Sequence, residues 1–380
     1  MLGRLSSATN QNKRAIIAMS GGVDSSVAAA LLSQQSSYTV QPVFMRNWDT
    51  RDEYTHSTPG GVKGCEWEID YVNAKAVCTH LNLPQPQLVD LSSEYWLRVF
   101  SPSLDIWRNG QTPNPDIACN RHIKFDALAH KVLKGDDDVL VTGHYAQVDT
   151  LTGTLSRAVD RNKDQSYYLS AVNKNILNRV LLPLGSLHKQ HTRFLAHSLN
   201  LPNANRDESM GICFIGERRH FGSWLDDYIH TKKGLFITPH GHSLGEHNGL
   251  HHYTIGQKAR IGGVPKKLYV AAKKGNDVVV VDSPQHNLLK CKTIITHADI
   301  NWLVSMDHLP NTPFEATAQV RHRQLESRCT VQVEHDHLMV TYQHFEMAVA
   351  PGQTCAIYMG DVCIASATID KTISVDGILH

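Results

Sequence analysis

A glycine pair, an aspartate and two serines separate an apolar run from an alanine-rich run near the start of the chain. The stretch reads S-G-G-V-D-S-S over residues 20–26. Glycines let backbone amides approach an anion closely, and free N–H groups at a helix N-terminus attract phosphate. Asp24 would repel a phosphate unless Mg²⁺ lay between them. Because the lysine of a GxxxxGK[ST] loop is missing, the pattern predicts a phosphate-binding loop of another kind.

Two cysteines lie in settings where a thiol could do chemistry. Cys119 follows Asp116 by three residues in T-P-N-P-D-I-A-C-N, a loop that runs into a helix. A helix start can lower the pKa of a thiol, and a carboxylate one turn away is placed to transfer protons. Cys213 lies in the apolar stretch G-I-C-F-I-G, before a charged run. From the residues alone, a buried inert Cys119 and a core strand around Cys213 remain the ordinary interpretations.

The elements that must position these residues alternate between strands and helices in the first half of the chain. Apolar runs predict strands within 14–19, 38–48, 86–91 and 137–146, and helical spacing is found in 25–35, 65–82, 94–110 and 123–133. This alternation predicts a doubly wound parallel α/β sheet. Ligands of such sheets bind beyond the carboxyl ends of the strands. Both the S-G-G-V-D-S-S loop and the T-G-H-Y-A stretch follow such ends.

The pattern changes at about residue 205. Residues 218–234 read as a helix, and a segment rich in glycine and histidine with short strands follows. From about residue 285 the chain consists of short β-runs separated by turn residues, which predicts a small β-barrel or sandwich. The expected organisation is a leader (1–13), a catalytic domain (14–205), a small central domain (206–284) and a C-terminal β-barrel domain (285–380).

The composition limits the classes of function. The 380 residues are 41% hydrophobic and 19% charged with a net charge of +1, so a nucleic-acid surface must be a local basic patch. No apolar run reaches the length of about 18 residues that a membrane helix needs. The eight cysteines form no C-x-x-C pair, which argues against a zinc ribbon. The first 15 residues contain Arg4, Lys13 and Arg14 and no acid, which is typical of an organellar transit peptide or of a disordered tail.

Together these stretches resemble the tRNA-specific 2-thiouridylases of the ATP pyrophosphatase (PP-loop) superfamily, whose fold is adenine nucleotide alpha hydrolase-like. The resemblance runs nearly end to end. Glu208, Ser209 and Met210 replace the D-S-T of bacterial members, and the compact G-Q-K-A-R-I-G-G is similar to the mitochondrial branch. The resemblance therefore implies a mitochondrial matrix protein, or a cytoplasmic one if the source is bacterial. The other motifs that carry it include A-M-S-G-G-V-D-S-S-V-A-A, G-Q-T-P-N-P-D-I-A-C-N-R-H-I-K-F, K-D-Q-S-Y-Y-L, G-I-C-F-I-G-E-R-R and A-P-G-Q-T-C-A-I-Y.

The resemblance implies ATP-dependent adenylation of the C2 oxygen of a wobble uridine in tRNA, then sulfur transfer to give 2-thiouridine, AMP and pyrophosphate. Cys213 would bear a persulfide, Cys119 would be the nucleophile, and a Cys119–Cys213 disulfide would remain after each turnover. Asp116 would act as acid and base. Mg²⁺ would bind together with ATP and contact the protein through Asp24. No metal site formed by protein ligands alone is expected. The implied ATP-binding residues are Ala18, Met19, Ser20, Gly21, Gly22, Val23, Asp24, Ser25, Met45 and Gly143.

The partners that the resemblance implies are tRNA, with the Lys, Glu and Gln acceptors expected, and a sulfur-donor protein. The donor would be a cysteine desulfurase or a relay carrier that charges Cys213. No iron–sulfur cluster is expected, because the usual C-x-x-C ligand pair is absent. The implied tRNA-binding residues are Asn114, Pro115, Asp116, His144, Lys163, Asp164, Gln165, Arg321, His322 and Gln353.

Two other classes of function stay open on the sequence. An ATP-dependent amide synthetase of the same superfamily would explain the loop, but it would leave both cysteine settings and the β-rich end without a role. A nucleotide-regulated RNA-binding module would need no chemistry and would release neither AMP nor pyrophosphate. Arg321 and Lys163 could also be ordinary surface charges, and His144 a structural histidine.

Overall fold

The computed structural model describes residues 13–35, 37–49, 66–207 and 221–380. The strands of the first unit are β1 (Lys13–Met19), β2 (Tyr38–Arg46), β3 (Gln87–Asp90), β4 (Val139–Val141), β5 (Gln147–Asp149), β6 (Thr154–Ser156) and β7 (Val180–Leu181). Five of them form a parallel sheet in the order β3-β2-β1-β4-β7. β1 lies at the centre, and its residues 15–17 are fully buried. The predicted doubly wound parallel sheet is confirmed.

Helices pack on this sheet, and two of the long ones contain π-helical segments. Trp96–Phe100 joins α3 to α4, and Asn120–Leu128 joins α5 to α6. π-helical turns inside α-helices are frequent at functional sites. The α-helices are α1 (Val23–Ser33), α2 (Glu66–His80), α3 (Ser92–Tyr95), α4 (Ser101–Arg108), α5 (Pro115–Cys119), α6 (Ala129–Val132), α7 (Ser166–Leu169), α8 (Lys174–Leu177), α9 (Lys189–Ser198) and α10 (Phe221–Leu225).

Two helices differ from the sequence prediction. The helix expected over 123–133 begins at Pro115, because Asn114 caps it and proline fits the first helical position. The helix expected over 218–234 covers only Phe221–Leu225 within the described residues. The chain turns at Asp226, whose carboxylate contacts two histidines of the central unit.

The central unit is a small sheet with the order β10-β11-β12-β8-β9. Its core is formed by Phe236, Val270, Val278 and Val280, which are at most 2% exposed. Alternating apolar residues on neighbouring strands therefore bury one face of the sheet. Its strands are β8 (Gly234–Ile237), β9 (Ser243–His247), β10 (Lys258–Ala259), β11 (Leu268–Lys274) and β12 (Asp277–Val281).

The C-terminal unit contains a closed six-stranded barrel. Its strands are β13 (Lys290–Thr296), β14 (Asn301–Trp302), β15 (Phe314–Gln319), β16 (Ser327–Glu334), β17 (His337–Met347), β18 (Thr354–Met359) and β19 (Val362–Ser374). The ring runs β13-β17-β16-β15-β18-β19 and closes where β19 pairs with β13, and β14 pairs with β19 outside it. The predicted C-terminal barrel is confirmed. Closure removes the unpaired strand edges that an open sheet would expose.

The first unit also contributes to the sheet of the barrel. The hairpin β5–β6 joins it through pairing of Ser156 with Val362 of β19. Arg157, directly after the hairpin, is 3% exposed, and its guanidinium lies 3.6 Å from the centre of the Tyr358 ring. The catalytic and C-terminal units are thus joined by shared backbone pairing and a buried cation. No helix within the described ranges is both long and apolar enough to cross a membrane.

An ion pair joins the start of β1 to the turn before β4. Arg14 Nε donates to Asp138 Oδ1 at 3.0 Å, and backbone amides of Lys134 and Gly135 donate to Oδ2. The Arg14 guanidinium, with these amides, lowers the pKa of Asp138 to about 2. The pKa of Asp138 in the folded state lies below its usual value near 3.9. The ion pair therefore stabilises the fold fully at pH values above about 3.9, and this stabilisation is lost as the pH falls towards 2.

We expect Asp138→Asn to lower the free energy of unfolding by about 1 kcal/mol at pH 7, a low figure because Arg14 is partly exposed to solvent screening. Urea unfolding at pH 7 and pH 3 measures this. The difference between variant and wild type should shrink at pH 3, and a difference that is independent of pH would contradict the assignment.

Candidate active site

The S-G-G-V-D-S-S loop turns sharply between β1 and α1. Gly21 has a φ of +74°, and a Cβ there would lie 2.3 Å from the backbone oxygen of Asp70. From the other side, a Cβ on Gly143 would lie 2.7 Å from the backbone nitrogen of Ser25. Only glycine fits either position without moving the backbone. The loop is therefore held between α2 and the segment after β4.

The start of α1 is open towards a ligand. Gly22 is the N-cap and supplies no side-chain cap, so the first helical N–H groups have no partner within the helix. Ser25 Oγ accepts from the backbone nitrogen of Ser20 at 3.2 Å and lies 3.1 Å from Ser20 Oγ. Ser26 Oγ donates to the backbone oxygen of Gly22 at 2.9 Å. The serines thus shape the turn, and its amides can receive an anion.

Cys119 lies at the same sheet edge as this loop. It is the fifth residue of the helix that begins at Pro115, and it is 8% exposed. Its Sγ is 3.7 Å from Nδ2 of Asn47, which directly follows β2. β2 pairs in parallel with β1, so the segments that follow both strands lie beyond one edge of the sheet. The topology therefore brings the predicted nucleophile to the edge where the glycine-rich loop begins.

The other described cysteines are poor nucleophiles. Burial raises the pKa of Cys78 to about 11 and that of Cys291, Cys329 and Cys363 to about 12, and it raises that of Cys355 well above its usual value. Thiols in such surroundings stay protonated and inert near neutral pH. Cys213, the predicted persulfide carrier, lies outside the described residues.

Asp116 acts electrostatically on Tyr168, whose ring pairs with that of His322 from the C-terminal unit. Burial and, to a smaller extent, the Asp116 charge raise the pKa of Tyr168 to about 12. The Tyr168 and His322 rings lie 4.4 Å apart between centroids, and burial lowers the pKa of His322. Arg321, beside it, donates from Nη2 to the Met347 backbone oxygen at 3.0 Å. The structure thus brings Asp116 and His322 to one region, at the junction of the catalytic unit and the barrel.

Gln353 of the barrel holds the loop that precedes Cys119. Its Nε2 donates to the backbone oxygens of Thr112 and Pro113 at 2.9 and 3.0 Å. Its Oε1 accepts from Nδ2 of Asn114 at 3.3 Å, and Oδ1 of Asn114 accepts from the Ile117 backbone nitrogen at 3.2 Å. Gln353, predicted as a tRNA contact, therefore also positions the segment that carries Asn114, Pro115 and Asp116.

His144 links the segment after β4 to the Cys119 helix. Lys124 Nζ is 3.3 Å from Nε2 of His144, and Thr142 Oγ1 is 2.7 Å from Nδ1. Because an ammonium can only donate, Nε2 accepts and Nδ1 carries the proton. Burial, with the Lys124 charge, lowers the pKa of His144 well below its usual value. Lys124 also donates to Oδ1 of Asn120 at 2.9 Å, so a neutral His144 is part of a bonded chain.

The K-D-Q stretch has one buried member. Asp164 is 6% exposed and pairs with Arg157 at 3.0 Å. Gln165 Oε1 accepts from the Tyr145 backbone nitrogen at 2.9 Å, and Lys163 is half-buried. Asp164 thus stabilises the junction between the units, and contact of this stretch with tRNA stays a prediction.

The chain is similar to known proteins over nearly its whole length. The chain is 39% identical to the tRNA-specific 2-thiouridylase MnmA of Levilactobacillus brevis over 372 residues, which cover 95% of this chain and 96% of that protein. It is 37% identical to the protein of the same name from Staphylococcus aureus over 380 residues, 98% and 99% of the two chains. The chain belongs to the tRNA-specific 2-thiouridylase family.

Three sequence profiles cover most of this 2-thiouridylase family member. They are described as a tRNA methyl transferase HUP domain (residues 13–217), a tRNA methyl transferase PRC-barrel domain (222–282) and an aminomethyltransferase beta-barrel domain (292–369). The profile descriptions speak of methyl transfer, whereas the relatives are named for thiolation. Thiolation consumes ATP and methyl transfer does not, so a measurement of ATP consumption can separate the two reactions.

Sequence reasoning missed several residues that support the loop of this 2-thiouridylase family member. Lys189 Nζ lies 2.6 and 2.8 Å from the two carboxylate oxygens of Asp24, and the Tyr145 hydroxyl donates to Oδ1 at 2.9 Å. Asn203 Nδ2 donates to the Gly21 backbone oxygen at 2.8 Å, as Arg206 does at 3.1 Å. Their partners lie 121 to 185 positions away, so no local motif could reveal them.

Proposed function

We propose that this chain replaces the C2 oxygen of a wobble uridine in tRNA with sulfur, consuming ATP and releasing AMP and pyrophosphate. The observation that carries the proposal is the position of Cys119 Sγ, 3.7 Å from Asn47 at the sheet edge where the glycine-rich loop begins. A thiol beside a phosphate-binding loop suits a reaction in which activation by ATP precedes attack by sulfur. An amide synthetase would have no use for that thiol.

ATP would bind along the loop and the neighbouring strand ends. The uncapped amides at the start of α1 would receive the pyrophosphate portion, and Gly21 and Gly143 let the neighbouring backbone pack closely enough to hold the loop in shape. Ala18, Met19 and Met45 lie at the ends of β1 and β2, where the nucleotide would rest against apolar surface. Mg²⁺ bound with ATP would neutralise the charge that develops on the leaving pyrophosphate, with Asp24 as its nearest carboxylate.

Lys189 supplies a positive charge beside the loop. Its ammonium pairs with Asp24, and the side chain is 12% exposed. Such an arrangement holds the carboxylate in place before a nucleotide arrives. The Lys189 cation would also reduce the repulsion between Asp24 and the phosphates of a bound nucleotide.

Sulfur would arrive as a persulfide on Cys213. Its terminal sulfur would attack C2 of the activated uridine and displace AMP, leaving a Cys213–S–S–C2 linkage. The Cys119 thiolate would then attack the Cys213 sulfur, so that the carbon-bound sulfur leaves as 2-thiouridine and a Cys119–Cys213 disulfide forms. A dithiol reductant restores both thiols. Asp116, one turn before Cys119, would transfer the protons of these steps.

The tRNA would lie across the junction of the catalytic unit and the barrel. Asn114, Pro115 and Asp116 would hold the flipped base, and Arg321 and His322 approach from the barrel. His144, Lys163, Asp164, Gln165 and Gln353 belong to the same proposal, with Asp164 and Gln353 acting at least in part by positioning backbone. The expected substrates are the Lys, Glu and Gln acceptors.

A mitochondrial location is part of the proposal. It is supported by the acid-free basic leader and by Glu208, Ser209 and Met210 in the place of the bacterial D-S-T, although the reported relatives are bacterial. Fusion of residues 1–13 to a fluorescent protein, with an Arg4→Glu control, tests the leader. We also propose unit boundaries near residues 205 and 284, which limited proteolysis of the full chain can test, and a cysteine desulfurase or relay carrier as the sulfur donor.

The function is tested with purified full-length chain, tRNA, ATP and a persulfide donor. We expect 2-thiouridine at the wobble position by mass spectrometry, with AMP and pyrophosphate released in step. Cys213→Ser should lose thiolation while tRNA-dependent pyrophosphate release continues. An amide synthetase would keep its activity in Cys213→Ser, and an RNA-binding module would release no pyrophosphate. A methyl transferase would add the mass of a methyl group without ATP. Any of these results would contradict the proposal.

Binding of tRNA should weaken steeply with salt. The net charge is only +1, so phosphate contacts must come from local basic clusters whose counterions are released on binding. With about six such contacts, we expect affinity to fall by about 1,000-fold between 50 and 200 mM salt. Filter binding at several salt concentrations measures the slope, and an affinity that stays constant over that range would rule out a phosphate-dominated interface.

A further inference from the structure

Three side chains of the central region converge on one point outside the site described above. His251 and His252 belong to the 3₁₀-helix Leu250–His252, and Asp226 directly follows α10. Oδ1 of Asp226 lies 2.7 Å from Nε2 of His251 and 2.9 Å from Nε2 of His252. Among the described residues this is a group whose ligand atoms all lie within 4.8 Å of one another.

We propose that Asp226, His251 and His252 form a binding site for a divalent transition-metal ion, with Zn²⁺ as the preferred occupant. Two imidazole nitrogens and one carboxylate oxygen are a ligand set that Zn²⁺ and Fe²⁺ accept, with one or more positions left for water. This inference is independent of the proposed thiolation, because none of the three residues has a role in it.

The surroundings hold both imidazoles in place. A Cβ on Gly222 would lie 2.4 Å from Nδ1 of His252, and one on Gly249 would lie 2.6 Å from Cε1 of His251. The His251 side chain is 2% exposed, whereas those of His252 and Asp226 are 19% and 35% exposed. An ion could therefore enter from the solvent side, next to Asp226.

The two nitrogen–oxygen distances are slightly shorter than a bound ion requires, and the two nitrogens lie within 4.8 Å of each other. Ligands of a tetrahedral Zn²⁺ at about 2.0–2.1 Å lie about 3.3 Å apart, so each nitrogen–oxygen distance must open by about half an ångström. Rotation of the partly exposed Asp226 carboxylate supplies this movement. In the structure each Nε2 carries the proton that it donates to Asp226, so binding of an ion would release these protons and free the Nε2 lone pairs. Lys273 acts on His251 as a like charge, but its ammonium donates to the Gly110 backbone oxygen.

A bound ion would join two segments distant in the chain. Asp226 belongs to the stretch that leads from the catalytic unit, and the histidines follow β9 of the central sheet. Hydrogen bonds from the imidazoles to Asp226 join the same segments without an ion, and the side-chain oxygen of an asparagine would accept them as well. The distinction between a metal ligand and an acceptor is therefore what an experiment must measure.

The test is Co²⁺ and Zn²⁺ titration of the full-length chain after dialysis against a chelator. We expect saturable binding of a single ion with cobalt d–d absorption that lacks the sulfur-to-cobalt charge-transfer band, which separates this site from the eight cysteines. Asp226→Asn retains a hydrogen-bond acceptor of similar shape, yet it should weaken binding by about 100-fold or more, and His252→Gln should do the same. His240→Gln, an exposed histidine in the central unit, is the matched control and should bind as wild type.

The melting temperature without metal supplies a second measurement. Asp226→Asn should leave it close to that of wild type, while added Zn²⁺ should raise the melting temperature of wild type alone. Absence of saturable binding in wild type would overturn the proposal and leave a hydrogen-bonded cluster. Binding that survives Asp226→Asn and His252→Gln, or that shows the thiolate band, would place the ion elsewhere and overturn it equally.

Discussion

Replacing Gly21 by alanine should lower the rate of tRNA-dependent pyrophosphate release by about 100-fold or more. The residue has a φ of +74°, and an added Cβ would lie 2.3 Å from the backbone oxygen of Asp70 in α2. Since neither backbone can yield without moving a helix, the loop must shift by about an ångström. A displacement of that size at a reacting centre costs about 100-fold in rate. A coupled phosphate assay with saturating ATP measures the effect.

The matched control for this change is Gly275→Ala. Gly275 has a φ of +61° in the turn between β11 and β12, and no atom lies within 4 Å of its added Cβ. It therefore carries the backbone strain of a left-handed alanine, about 1–2 kcal/mol, without the steric contact. We expect it to lose some stability and to keep its rate of pyrophosphate release. Equal rates in the two variants, both folded by circular dichroism, would show that the Gly21 turn does not position ATP.

Much of the fold could be predicted because its signals are local. Alternation of apolar runs and helical spacing over residues 14–146 is enough to predict parallel strands, and turn residues between short β-runs predict the barrel. The apolar spacing predicts a helix that begins at Ile123, eight residues later than its start at Pro115. The true start depends on capping by Asn114 and on a proline at the first helical position, and apolar spacing does not register either signal.

What the sequence could not predict depends on contacts between distant residues. The hairpin β5–β6 pairs with β19 more than 200 positions away, and Arg157 reaches Gln319 and Tyr358 across that junction. Lys189 pairs with Asp24 from 165 positions away. A lysine was missing from the loop motif, and the fold supplies one from α9. Lys189 meets Asp24 because α9 packs beside α1.

Cys119→Ser should lower the rate of 2-thiouridine formation by at least about 1,000-fold and leave adenylation intact. A serine hydroxyl stays protonated near neutral pH and cannot attack the Cys213 sulfur, so the persulfide sulfur remains linked to the enzyme. The thiol contacts Asn47 after β2 and has no role in adenylation in the proposed mechanism, so ATP should still be split on the first turnover. Single-turnover assays that follow the thiolated nucleoside by mass spectrometry and pyrophosphate in parallel separate the two steps.

Cys78→Ala provides the comparison for the loss of a buried thiol. Cys78 is fully buried in α2, and burial raises its pKa to about 11, so it takes no part as a nucleophile. Its removal should reduce stability through a small cavity and leave the thiolation rate within about two-fold of wild type. If Cys119→Ser behaved like Cys78→Ala, the thiol at the sheet edge would be a packing residue, and sulfur transfer would have to proceed through a cysteine elsewhere in the chain. If Cys119→Ser instead abolished pyrophosphate release as well, the thiol would act before sulfur transfer, in forming the ATP site itself.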